Sequence, residues 1–85
     1  MKEKNIEVKI ASGLEARPVA LFVQAASQFQ SNIYVSVQNK KVNAKSIMGM
    51  MSLGVLEGES ILITAEGEDE EEAVVALEKY LTEGK

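Results

Sequence analysis

Ser46 stands between Lys45 and an apolar run, Ile47 to Leu53, and that setting gives its hydroxyl two uses. As an N-cap it would accept a hydrogen bond from a backbone N–H of the short helix that follows. As a phosphoryl acceptor it would bring a charge of about −1.5 to −2 to the positive end of that helix, beside its flanking lysines. Five of the next seven residues are large and apolar: Ile47, Met48, Met50, Met51 and Leu53. A short surface helix buries one stripe, so part of this set is expected to face water as an adaptable, methionine-rich docking surface. The other arrangement is a helix sunk deeply enough to bury all five.

Little other side-chain chemistry is on offer. The chain has 85 residues and contains neither cysteine nor histidine. That removes disulfides, thiol nucleophiles, zinc fingers and imidazole acid–base catalysis. Paired carboxylates of the glycosidase kind need a cleft between them, which a domain of this size rarely builds. A binding or carrier protein is therefore expected rather than an enzyme, with no cofactor and no metal. The acidic run Glu66 to Glu72 is read as helix capping and solvation rather than a metal site. The net charge of -4 is uneven: residues 1–45 carry seven Lys/Arg against three Glu, and residues 46–85 carry two Lys against ten Asp/Glu. An acidic chain with only four aromatics (two Tyr and two Phe) argues against direct nucleic-acid binding. No apolar run approaches the roughly 20 residues of a membrane span, and the charged start MKEKNIEVKI lacks the apolar core of a secretory signal. The expected location is the cytoplasm.

The elements that must position Ser46 are legible as periodicities. Ile6, Val8 and Ile10 alternate with charged residues, as in a half-buried strand. From Ala16 the period changes: Val19, Phe22, Val23 and Ala26 fall on one helical face, with Pro18 suited to the first turn. Ile33, Val35 and Val37 alternate again, Asn39 offers a turn residue that tolerates positive φ, and a short strand follows at Lys40 to Asn43. Ile61, Ile63 and Ala65 form a fourth strand. Asp69 and Glu72 have the spacing of a capping box, and Ala73, Val74, Leu77 and Leu81 form the stripe of a last helix that Gly84 would stop. The expected fold is a single α+β domain over residues 1–85, of order βαββαβα. It is an open-faced β-sandwich, a four-stranded antiparallel sheet with three helices on one face.

Three strings carry a resemblance: GLEARPVALFVQAAS, KKVNAKSIMGMMSLGV and GEDEEEA. Together they resemble the histidine-containing phosphocarrier (HPr) family of the bacterial sugar phosphotransferase system, over essentially the whole chain. The family carries its phosphoryl group on the histidine of a Gly-Leu/Ile-His-Ala-Arg-Pro motif. Here Gly13-Leu14-Glu15-Ala16-Arg17-Pro18 has glutamate in its place, while the second signature, with a regulatory serine at Ser46, is intact. That combination is similar to the catabolite-repression HPr-like (Crh) branch, from which Glu15 departs where glutamine is expected.

The resemblance implies regulation. A bifunctional HPr kinase/phosphorylase would modify Ser46, and the phosphorylated protein would act as corepressor of catabolite control protein A, a repressor of the LacI type. Arg17, Ile47, Met48 and Met51 match family contact positions; Lys45 is an electrostatic supporter by position. Two other readings stand beside this one. Glu15 could accept a phosphoryl group as an acyl phosphate in the phosphotransferase system, or it could pair with Arg17 in an unphosphorylated structural paralogue. The chain is expected as a monomer or as a homodimer that exchanges its first strand, which in the family sheet lies on an edge.

Overall fold

Ile61, Ile63 and Ala65 project to one side of β4 (Ser60–Glu66) and are fully buried, which makes this strand the spine of the sheet. The computed structural model describes residues 1–9, 16–55 and 57–83, with Ala16 and Arg17 described by backbone only. β4 pairs antiparallel with β1 (Lys2–Glu7) on one side and β2 (Asn32–Val37) on the other, and β2 pairs with β3 (Lys40–Asn43), giving the order β1-β4-β2-β3. The helices are α1 (Ala16–Ser27), α2 (Ile47–Met51) and α3 (Glu70–Glu83). One core cluster joins Ile6, Ile33, Val35 and Ile63 of the sheet to Phe22 of α1, Met50 of α2 and Leu77 of α3. The expected order, βαββαβα, and the α+β architecture are those observed. Among the described residues no helix is long and apolar enough to cross a membrane.

The helical stripes are where the spacing puts them: Val19, Phe22, Val23 and Ala26 are buried on α1, and Ala73, Val74, Leu77 and Leu81 on α3. α3 also buries Tyr80, whose hydroxyl donates to the Pro18 carbonyl at 3.0 Å and whose ring lies 6.2 Å from that of Phe22. Burial pushes the Tyr80 phenol above its usual range.

Three local features differ from expectation. β1 begins at Lys2, well before the alternating apolar residues, because its backbone pairs with β4 from Lys2, opposite Ala65, onward; at the surface Lys2 also pairs with Glu71 at 3.4 Å and Lys4 with Glu78 at 2.7 Å. Val8 continues past the strand through hydrogen bonds with Glu59 and Gly58, and Ile10 lies outside the described residues, as does Gly84. In the hairpin between β2 and β3 it is Gln38, at φ 54, and not Asn39 that takes the left-handed conformation, since the paired Val37 and Lys40 leave a two-residue loop.

The third difference concerns Asp69. Instead of capping its own helix with its side chain, its carboxylate crosses to the start of β2. It accepts from the Gln30 N–H at 2.8 Å, the Ser31 N–H at 2.9 Å and the Ser31 hydroxyl. Glu70 takes over the return contact, accepting from the Gly67 N–H at 3.2 Å. Gly67 passes so close to Ser31 that a Cβ there would lie 2.6 Å from its Oγ and 2.7 Å from its Cα, with φ at +154°.

Two predictions follow from this clasp. Gly67→Ala should destabilise the protein by about 2–4 kcal/mol in urea unfolding, combining backbone strain with displacement of Ser31. Asp69 is held below the usual carboxylate range by the Ser31 hydroxyl first and then by the Gln30 N–H. A carboxyl with a depressed folded pKa stabilises above its unfolded pKa, and that contribution is lost as pH falls through the folded value. Ser31→Ala should therefore raise the Asp69 pKa in an NMR titration and lower stability at neutral pH. The gap from the parent should narrow in acid.

Candidate functional site

The approach to Ser46 is built by β3 and a turn. Asn43 ends the strand, and its side-chain oxygen accepts from the Lys45 N–H at 2.8 Å while its carbonyl accepts from the Ser46 N–H at 3.0 Å. This double closure fixes the direction in which the chain enters α2. Ala44 between them is fully buried and donates to the Ile33 carbonyl at 2.9 Å, tying the turn to the central sheet.

Ser46 then sits at the N-cap with extended backbone, φ −107° and ψ 114°. Its Oγ accepts from the Gly49 N–H at 3.2 Å, and its carbonyl accepts from the Met50 N–H at 2.9 Å. The hydroxyl thus satisfies an N–H that has no partner within the helix, as the sequence predicts. Gly49 serves close approach: a Cβ there would meet the Val42 Cβ at 3.3 Å and the Ser46 Oγ at 3.4 Å. At the other end Ser52 closes the helix, its N–H shared between the Met48 and Gly49 carbonyls and its hydroxyl on the Gly49 carbonyl at 2.6 Å. The Lys40 ammonium lies 3.4 Å from the Ser52 carbonyl, a cation at the negative end of the helix.

The apolar residues of α2 divide as expected for a helix lying on the surface. Met50 is fully buried, whereas Ile47 is 45% exposed, Met48 83% and Met51 51%. Leu53 packs partly against the core just past the helix. Ser46, Ile47, Met48 and Met51 therefore share one short element, with a hydroxyl at its head and exposed apolar groups along it. Leu21 adds a further exposed apolar residue nearby. It is 48% exposed on α1, the helix that packs against α2. Its place off the Val19, Phe22, Val23, Ala26 stripe is the sequence signal of that exposure.

Lys45 is directed elsewhere than its position beside Ser46 suggests: its ammonium donates to the Phe29 carbonyl at 2.7 Å, just beyond the end of α1. Glu15 lies outside the described residues, and so does the side chain of Arg17, whose backbone forms part of the first turn of α1. Among the described residues no group of three or more Asp or Glu is placed to hold a metal ion.

Residues 2–83 match the family model described as the PTS HPr component phosphorylation site. The chain is 53% identical over 81 residues to the HPr-like protein Crh of Halalkalibacterium halodurans, which covers 95% of this chain and 96% of that protein. Among solved structures it is similar to HPr-C-His from Thermoanaerobacter tengcongensis, with a TM-score of 0.93 and 57% identity, covering 100% of this chain and 98% of the other. It is also similar to Crh, the catabolite repression protein of Bacillus subtilis, whose crystal structure is a domain-swapped dimer. There the TM-score is 0.78 with 49% identity, covering 98% and 95% of the two chains. With a family match along almost its whole length and a Crh relative at 53% identity, the chain belongs to the HPr family and is a Crh-like member of it.

Proposed function

We propose that this protein is a phosphorylation-controlled corepressor. An HPr kinase/phosphorylase transfers a phosphoryl group to Ser46, and the phosphorylated protein docks on catabolite control protein A. The observation that carries the reading is the juxtaposition of a half-buried serine hydroxyl at the N-cap of α2 with three exposed apolar side chains on the helix, Ile47, Met48 and Met51. The absence of histidine supports it, since the family's histidine relay has no acceptor on this chain.

Energetically the two parts of the surface do different work. Apolar burial of the methionines supplies affinity that salt hardly weakens. The phosphate supplies charge-assisted hydrogen bonds that are partly screened at high ionic strength. With the Lys45 ammonium directed to the Phe29 carbonyl, repressor arginines or lysines would supply the charge-assisted contacts to the phosphate, and Arg17 would be a further contact of this chain with its partner. β1 pairs with one neighbour only, so exchanging it between two copies would preserve its ladder. That supports a strand-exchanged homodimer as an alternative to the monomer, and Crh of Bacillus subtilis crystallises as a domain-swapped dimer.

Incubation with the kinase and ATP should place phosphate on Ser46 alone, and Ser46→Ala should abolish labelling; equal labelling of that variant would contradict the proposal. In the phosphorylated protein, Met51→Ala should weaken repressor binding about tenfold or more at both low and high salt. Loss of phosphate should act most strongly at low salt. Unfolding separates anchor from docking residue: Met50→Ala should cost about 2–5 kcal/mol, and Met51→Ala less than about 0.5 kcal/mol.

A further inference from the structure

The chain has four methionines, at positions 1, 48, 50 and 51, and no cysteine, so thioethers are its only sulfur. Three of them lie on α2, and the fold treats them differently: Met48 is 83% exposed, Met51 51%, and Met50 not at all. A thioether reacts with peroxide through a sulfur lone pair that must reach the oxidant, so susceptibility follows exposure. One five-residue helix thus carries two exposed methionines and, between them, one that is fully buried.

We propose that Met48 and Met51 form a reversible oxidation site for hydrogen peroxide, through which the exposed face of α2 is switched from apolar to polar while Met50 holds the helix in place. In the step, a methionine sulfur attacks one peroxide oxygen. An S–O bond forms, the O–O bond breaks, and the departing hydroxide takes the proton left on the transferred oxygen to become water. Sulfur loses two electrons and peroxide gains them. The sulfoxide is returned to thioether by a thiol-dependent methionine sulfoxide reductase, two thiols becoming a disulfide and the oxygen leaving as water.

The placement of the sulfurs is what separates a switch from damage. Oxidation of a buried methionine puts a polar S–O group into the core, but Met48 and Met51 meet water, so their sulfoxides leave the core untouched. The N-cap at Ser46 and the closure at Ser52 use hydroxyl and backbone groups, which peroxide leaves unchanged. What changes is the surface: a flexible apolar side chain acquires a strong hydrogen-bond acceptor that resists burial without a donor. The consequence for repressor docking rests on the corepressor function proposed above; the selectivity of oxidation does not.

The test treats the full-length, Ser46-phosphorylated protein with hydrogen peroxide and maps each methionine by fragmentation mass spectrometry. Met48 and Met51 should be oxidised at least about tenfold faster than Met50, with the far-ultraviolet circular dichroism unchanged. Affinity for catabolite control protein A should then fall about tenfold or more and return after methionine sulfoxide reductase treatment. Oxidation of Met50 at a rate similar to its neighbours would overturn the assignment of the site. Undiminished affinity with Met48 and Met51 fully oxidised would overturn the switch. Absence of binding by the reduced, phosphorylated protein would overturn the corepressor function instead, and the oxidation map would still decide the modification site.

Discussion

A helix of five residues can sink one side chain into a core, and in α2 that side chain is Met50. Everything exposed at the candidate site follows from this anchor. With Met50 directed inward, Met51 lies about 100° round the helix, at its flank, and Met48 about 160° round, on the side facing water, while Ile47 at the first position faces water in part. Ser46 falls at the cap, where its hydroxyl is held by one N–H rather than by a buried network. Gly49 completes the arrangement, since the helix lies against β3 at a spacing that leaves a Cβ crowded by Val42 and Ser46. A longer helix would have distributed its burial over several turns and left no such concentration of apolar surface beside the Ser46 hydroxyl.

The platform beneath α2 is secured at a distance from it. The Asp69 carboxylate gathers the Gln30 and Ser31 N–H groups and the Ser31 hydroxyl, fixing the start of β2 against the start of α3. The Ala44 N–H then ties the turn before α2 to the Ile33 carbonyl, two residues beyond Ser31. The Lys45 ammonium reaches the Phe29 carbonyl on the other side of the same connection. Ser46 is therefore positioned by backbone hydrogen bonds that trace back to the strand Asp69 secures.

Much of this was legible in the sequence, because it depends on periodicity and short-range capping. The stripes on α1 and α3, the alternation in β2 and β4, and the N-cap at Ser46 each follow from residues within one or two turns of one another. What sequence did not disclose depends on partners far along the chain. Asp69 and Glu72 have capping-box spacing, yet Ser31, distant in sequence, competes for the carboxylate and wins it. Lys45 adjoins Ser46, yet a four-carbon stem reaches a carbonyl at the end of α1. The early start of β1 at Lys2 depends on its ladder with β4, where Lys2 lies opposite Ala65, and no local pattern marks it. The division of the methionines lies between these cases: one stripe had to be buried, and the packing of Met50 decided which.

The central claim is that Ser46 modification and the exposed face of α2 act as one recognition surface. Its most direct test is NMR perturbation mapping of the isotope-labelled, Ser46-phosphorylated protein titrated with catabolite control protein A. The account predicts that amides of residues 46–52 and the exposed methyl groups of Met48 and Met51 shift or broaden first, and that the unphosphorylated protein at the same concentrations shows little change. Perturbations centred on β1 and α3, or equal responses with and without phosphate, would contradict it.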